Sequence, residues 1–306
     1  MNLSQGWQIV FAYKECVEQL NKRVQLARRG KLAKLLHHPV RVGGSKVLEN
    51  ISNILNLSFP VRADLFWTET IITLVPEHVS CQIIRYGFFE EGLTRMILEV
   101  LKPGMVFFDV GAHIGYYTIL ACHIVGEKGT VHAFEPTPRT FEILRCNAKD
   151  KRNIILNNIA VSSSRDMMKF RCYGPKYSAL NSAKSPRISD SVGRRLRSNE
   201  IAVEATSLDA YIMERGSRPD FLKIDVESSE WDVLQGSQHV LTKIRPIVSL
   251  EVGDFGINGV APNRDLVRYL LEYGYRVYEY GSPNEPLVKH QVKENYQYDN
   301  LLFIPE

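Results

Sequence analysis

Two hydrophobic regimes divide the chain. Val10, Tyr13, Val17, Leu20 and Val24 recur at steps of three and four, which predicts an amphipathic helix too short for a coiled coil. Gly30 interrupts it, a shorter helical run through Leu32, Leu35 and Leu36 follows, and Pro39 with Gly43 and Gly44 is expected to close the unit. Residues 1–85 therefore read as an N-terminal helical or mixed extension, and residues 86–306 as the main domain.

From residue 86 the pattern becomes strand, helix, strand. Val106–Val110 is a short apolar run bounded by Pro103-Gly104 and Gly111, the signature of a buried parallel strand. A helix over 115–124, a strand over 130–134, and a helix opened by Thr137 and Pro138 follow, and a third strand starts at Ile154. Residues 167–171 and 201–205 predict two extra strands. The Ser- and Arg-rich insertion between them, near 172–200, is long enough to serve as a substrate lid. Thr206 to Asp209 has the spacing of a helix-start box, with Asp in place of Glu or Gln. Strands over 221–225 and 247–251 and helices over 231–241 and 264–273 continue the alternation. No helix separates 275–280 from 301–304, so those two segments should pair antiparallel. The fold class expected is α/β: a Rossmann-like, mostly parallel sheet with a terminal antiparallel strand and an N-terminal helical arm.

Composition narrows this little further. The 306 residues are 44% apolar and 24% charged, which excludes disordered and low-complexity classes. No run of eighteen apolar residues predicts a membrane span, and no secretory leader is visible. The five cysteines form no CxxC pair, which fits a reducing, cytoplasmic setting. The net charge of +4 demands no anionic partner. Basic residues do cluster between Lys22 and Lys34; they read first as a solvated face, and a peripheral membrane contact or a phosphorylated substrate is the sharper alternative. The first helix also offers a surface for a homo-oligomer.

The chemistry concentrates where the first strand turns into the first helix. Asp109-Val110-Gly111-Ala112-His113-Ile114-Gly115 lets backbone approach a ligand at Gly111 and Gly115, and Glu135 follows at the end of the second strand. An acid there can accept both ribose hydroxyls of an adenosine. A pyrophosphate site wants G-x-G-x-x-G, and Asp109 would repel it. Near an ammonium the same carboxylate attracts. S-adenosylmethionine, a nucleoside at one end and a zwitterion at the other, fits that turn. His113 and Asn158 are further candidates for contacting it.

These blocks resemble the FkbM family of S-adenosylmethionine-dependent methyltransferases. The resemblance rests on DVGAHIGYYT (109–118), HAFEPTPRTFEIL (132–144), TSLDAY with FLKIDVESSEWDVLQG (206–211, 221–236) and NLLFIPE (300–306), with YGFFEEGLT (86–94) as lead-in. It implies methyl transfer to hydroxyls of sugars, glycans or secondary metabolites; Glu90, in the upstream segment, is a further candidate for closing over the methionine end of the cofactor. Two positions depart from the family pattern, which commonly has Asn at His113 and Gly at Ser228.

Open α/β sheets bind ligands at the carboxyl ends of their strands. Asp225 and Glu227 after the fourth strand, and Glu251 ending the fifth, are therefore the catalytic candidates, with Asp225 as the base that takes the acceptor proton or orients its hydroxyl. Magnesium held by the same acids is the less favoured alternative, and no metal is assigned. Tyr177, Ser178 and Asn181 of the insertion can touch an acceptor, and Arg187, Arg194, Arg195 and Arg197 can bind an acidic one. A nicotinamide-dependent oxidoreductase and a catalytically inactive cofactor-binding scaffold are the competing readings. No nucleic-acid partner is expected, because no base-handling or nucleic-acid-binding motif is present.

Overall fold

The computed structural model describes residues 3–184, 197–254 and 260–306. Two compact units divide it: residues 1–98 with 175–179, and residues 99–174 with 180–306.

In the first unit, helix α1 (Leu3–Arg28) buries Cys16, Leu20 and Val24, four residues apart on one face. Val17 is half-buried and Tyr13 is exposed, so Cys16 stands where the spacing placed Tyr13; the side chain of Val10 lies outside those described. Helix α2 (Lys31–His37) follows the break at Gly30. Helix α2 stops before Pro39 as expected, but the unit does not close there. Pro39–Gly44 forms a wide π-type turn that runs into helix α3 (Ser45–Leu55). A proline in a first turn removes only an N–H that has no partner there, so the chain coils through it. The hairpin β1 (Phe59–Asp64) and β2 (Thr70–Val75) and helix α4 (His78–Tyr86) come next. Both Glu77 oxygens cap α4, accepting from the Val79 and Ser80 N–H groups at 2.8 and 2.6 Å. Helix α5 (Glu91–Val100) ends the segment.

The second unit is built on β3 (Val106–Val110), helix α6 (Tyr116–Val125), β4 (Thr130–Phe134), helix α7 (Pro138–Ala148) and β5 (Ile154–Asn157). A side sheet of β6 (Ala160–Val161), β7 (Asp166–Tyr173) and β8 (Ser198–Thr206) realises the two extra strands. Helix α8 (Leu208–Arg215), β9 (Phe221–Ile224), helix α9 (Glu230–Gln235), β10 (Ile247–Val252), helix α10 (Asn263–Glu272), β11 (Tyr275–Ser282), β12 (Glu285–Lys289) and β13 (Asp299–Pro305) complete it. The main sheet runs β12-β11-β13-β10-β9-β3-β4-β5. Its five strands from β10 to β5 are parallel, and β13 returns antiparallel to β10 and β11. This is the Rossmann-like sheet with a terminal antiparallel pair; strand β12, hairpinned to β11, adds one edge strand to it. The core is aliphatic and aromatic, with Phe107 stacked on Phe221 at 5.0 Å between the two central strands.

Two helix boundaries differ from expectation, and Asp209 bears on both. Ser207, one residue later than the expected box, caps α8 by accepting from the Ala210 N–H at 3.1 Å. Asp209 instead accepts from the His239 and Val240 N–H groups at 2.9 and 3.0 Å. It thereby starts a separate turn at Val240–Ile244, so the helix expected over 231–241 ends at Gln235. A Cβ at Gly236 would strike the Ser162 carbonyl, and the chain breaks there.

Candidate functional site

The strand order reverses between β3 and β9, and the crevice at such a point is where open α/β sheets hold ligands. Gly111, just beyond β3, donates its N–H to the Phe134 carbonyl at 3.1 Å. Its φ of 83° suits glycine, and a Cβ there would collide with the Asp225 carbonyl oxygen, so only glycine lets the ends of β3 and β9 come this close. Gly115, at φ 94°, is the residue before α6. Between them His113 takes φ 50° and donates its N–H to Glu135 Oε2 at 3.1 Å.

Glu135 thus ties the turn after β3 to the turn after β4. Its Oε1 accepts from the Thr137 N–H at 2.9 Å and the Thr137 hydroxyl at 2.5 Å. Burial pushes this carboxyl above the usual range, while the Thr137 and His113 groups pull it down. Each carboxylate oxygen has two lone pairs, so one acceptor position remains, on Oε2. Asn158 donates to the carbonyls of Glu135 at 2.8 Å and Pro136 at 3.1 Å, so its amide N–H groups hold that turn in shape.

Asp109 is completely buried. The carboxylate expected to attract an ammonium already faces one: Lys223 Nζ lies 3.3 Å from its Oδ1, and Thr118 donates to its Oδ2 at 2.6 Å. Lys223, only 1% exposed, also reaches Asp225 Oδ2 at 3.2 Å and the Gly111 carbonyl at 3.3 Å. Tyr117 presents its ring 5.2 Å from the same ammonium. Sequence reading assigned Lys223 no role. The signal was present, because a lysine inside the apolar run Phe221–Ile224 must find an anionic partner to be buried.

The three acids named as catalytic candidates come together. One carboxylate oxygen from each of Asp225, Glu227 and Glu251 lies within 4.8 Å of the others. Asp225 and Glu227 are half-buried, and Glu251, paired in register with Asn300, is buried. Glu227 and Ser228 hold φ values of 51° and 77° in succession, a tight left-handed turn. The Ser182 hydroxyl donates to the Glu227 carbonyl, so the near end of the insertion is fastened to this turn. The hydroxyls of Ser228 and Ser229 are buried there without a hydrogen-bond partner among the described residues. Glu230 accepts from the Val226 N–H at 3.3 Å in the first turn of α9, where a carboxylate also opposes the helix dipole.

The remaining expected residues are divided between the two units. Glu90 belongs to the first unit, where it takes φ 39° and its carbonyl accepts the Thr94 N–H. Tyr177 and Ser178 also fall in that unit. Asn181 accepts from the Tyr173 N–H at 2.8 Å, and Arg197 is exposed. Arg187, Arg194 and Arg195 are outside the described residues.

The donor set has the chemistry for a nucleoside sulfonium: a carboxyl beside a glycine turn, and an acidic cluster with a surplus of negative charge over Lys223. Comparison with known proteins bears on which ligand this is. The family model described as "Methyltransferase FkbM domain" matches residues 109–277. The chain is 33% identical over 200 residues to the 31-O-demethyl-FK506 methyltransferase FkbM of Streptomyces tacrolimicus, covering 58% of this chain and 75% of that one. It is 29% identical over 160 residues to the hexuronic acid methyltransferase AglP of Haloferax volcanii, covering 52% of this chain and 61% of the relative. Among solved structures, the methyltransferase FkbM of Methylobacillus flagellatus KT is similar at 14% identity and a TM-score of 0.42, over 73% of this chain and 52% of that one.

Proposed function

Because the chain belongs to the FkbM methyltransferase family, we propose that it is an S-adenosylmethionine-dependent O-methyltransferase acting on a hydroxyl of a sugar, glycan or secondary metabolite. The convergence of Asp225, Glu227 and Glu251 beside the Gly111 turn carries this reading. One relative is named for an FK506 derivative and the other for a hexuronic acid, which supports a hydroxyl-bearing acceptor.

When bound, S-adenosylmethionine would supply a methyl to the acceptor oxygen, the C–S bond breaking as the O–C bond forms and S-adenosylhomocysteine leaving as the thioether. Glu135 would accept from a ribose hydroxyl, and the Gly111–Gly115 turn would bring backbone close to the donor. Asp225 would take the acceptor proton on its carboxylate, and Glu227 and Glu251 would orient the hydroxyl and add negative potential to the site. Lys223 is a positioning residue: it holds Asp225 against Asp109 and keeps one Asp225 oxygen in place. Residues 86–306 form the catalytic domain, residues 1–85 its extension, and the insertion near 172–200 its lid. The cytoplasm is the setting in which five free thiols remain reduced.

Mutation of Asp225 tests the assignment. Asp225→Asn binds S-adenosylmethionine as the parent does but transfers no labelled methyl to any member of a panel of hydroxylated acceptors that the parent methylates. Normal turnover would remove Asp225 from the base role. The clustered carboxylates also support a second reading, a magnesium ion on the hard oxygens of Asp225, Glu227 and Glu251. Full activity after exhaustive chelation eliminates it; loss restored by magnesium alone establishes it.

A further inference from the structure

Helix α3 is amphipathic the wrong way round for a surface helix of a globular unit. Its buried residues are Ser45 and Ser52. Val47, Leu48, Ile51, Ile54 and Leu55, spaced i, i+1, i+4, i+7 and i+8 on another face, are all exposed, Ile54 at 81%. The preceding segment repeats the arrangement. Leu32, Leu35 and Leu36 of α2 are exposed, Leu36 at 71%, and Val40 in the turn between the helices at 85%. A concentration of bare aliphatic side chains this dense marks an interaction surface.

The charge around it selects the partner. Between residues 19 and 48 the sequence has eight Lys or Arg and no Asp or Glu. Arg28 pairs with Glu91 and Lys46 with Glu49, while Arg29 and Lys31 are exposed with no acidic partner among the described residues. A second copy docking by the same face would set two predominantly basic segments against each other, a like-charge juxtaposition that disfavours pairing. An anionic lipid surface satisfies both features, with aliphatic side chains in the acyl boundary and cations among the headgroups. We propose that residues 29–57 form a peripheral membrane anchor that inserts the aliphatic face of α3 and the leucines of α2 into an anionic leaflet. The anchor is independent of the methyl-transfer chemistry and lies wholly within the first unit.

Sedimentation of the full chain with vesicles tests this. The parent protein is expected to pellet with phosphatidylcholine–phosphatidylglycerol vesicles and far less with phosphatidylcholine alone, and high salt weakens the binding. Ile54→Glu with Leu55→Glu, and separately Arg29→Glu with Lys31→Glu, should each lower partitioning about tenfold or more while leaving the unfolding temperature and donor binding unchanged. The proposal is overturned if the parent stays in the supernatant with anionic vesicles, or if the Ile54→Glu, Leu55→Glu protein pellets as the parent does. It is equally overturned if light scattering shows a dimer that the same pair of substitutions dissociates and no vesicle binding is seen.

Discussion

Lys223 Nζ lies 3.2 Å from Asp225 Oδ2, so the carboxylate assigned as base is held by an ammonium two positions earlier in the same chain segment. Because the strand period is two, both residues leave β9 on the same side, and Asp109 on neighbouring β3 closes the group from behind. A buried cation is costly without partners of opposite charge, which couples the stability of the sheet to the orientation of the base.

Lys223→Met should therefore act twice. Removing one partner from a buried ion pair costs about 3–5 kcal/mol of stability. Methyl transfer should fall about 100-fold or more in kcat, with donor affinity little changed, because Asp225 loses the cation that positions it. Thermal unfolding together with steady-state kinetics separates the two effects. An unchanged kcat would leave Lys223 a purely structural role.

Ser228 occupies φ 77°, a conformation that side chains resist, and its buried hydroxyl has no partner among the described residues. Ser228→Gly should stabilise the protein by about 1 kcal/mol, a rise of about 2–4 °C in melting temperature. Scanning calorimetry reads this directly, and donor binding should not change.

His132 hydrogen-bonds to the Tyr211 hydroxyl at 2.8 Å and to the Ser217 hydroxyl at 2.9 Å in the core beneath the site. Burial, aided by Arg215, pulls its pKa from 6.5 down to about 4. The unfolded chain therefore binds more protons than the folded one between those values. This contribution to stability is complete above the unfolded pKa and declines as pH falls toward 4. The melting temperature should drop by a few degrees between neutral pH and pH 5. His132→Gln should flatten that slope in differential scanning measurements across the range.

Ionised Glu135 is the better acceptor for ribose hydroxyls, and burial raises its pKa. Donor affinity should weaken as pH falls through that raised value and level off above it. In Glu135→Gln the affinity should be lower at neutral pH and independent of pH. Titration calorimetry at several pH values distinguishes the two curves.

The sheet was legible because each of its parallel strands is a short apolar run bounded by a turn, as Val106–Val110 is by Gly104 and Gly111. The convergence of Asp225, Glu227 and Glu251 followed from their places at strand ends, a rule of the fold. Residues whose partners are remote in sequence were not legible. Nothing local says that Asp109 meets Lys223 across 114 positions of chain, or that Ser182 reaches the Glu227 carbonyl. Helix α3 was not read from the sequence, and its periodicity would show an apolar stripe but not whether that stripe turns inward; here Ser45 and Ser52 do.

Binding of S-adenosylhomocysteine to the parent protein and to Glu135→Ala, measured by isothermal titration calorimetry, tests the donor pocket most directly. One molecule should bind per chain, and the substitution should weaken binding about tenfold or more, the loss expected for hydrogen bonds to a charged acceptor. No heat from the parent protein, or equal affinity in the two, would contradict the assignment of this crevice to the methyl donor.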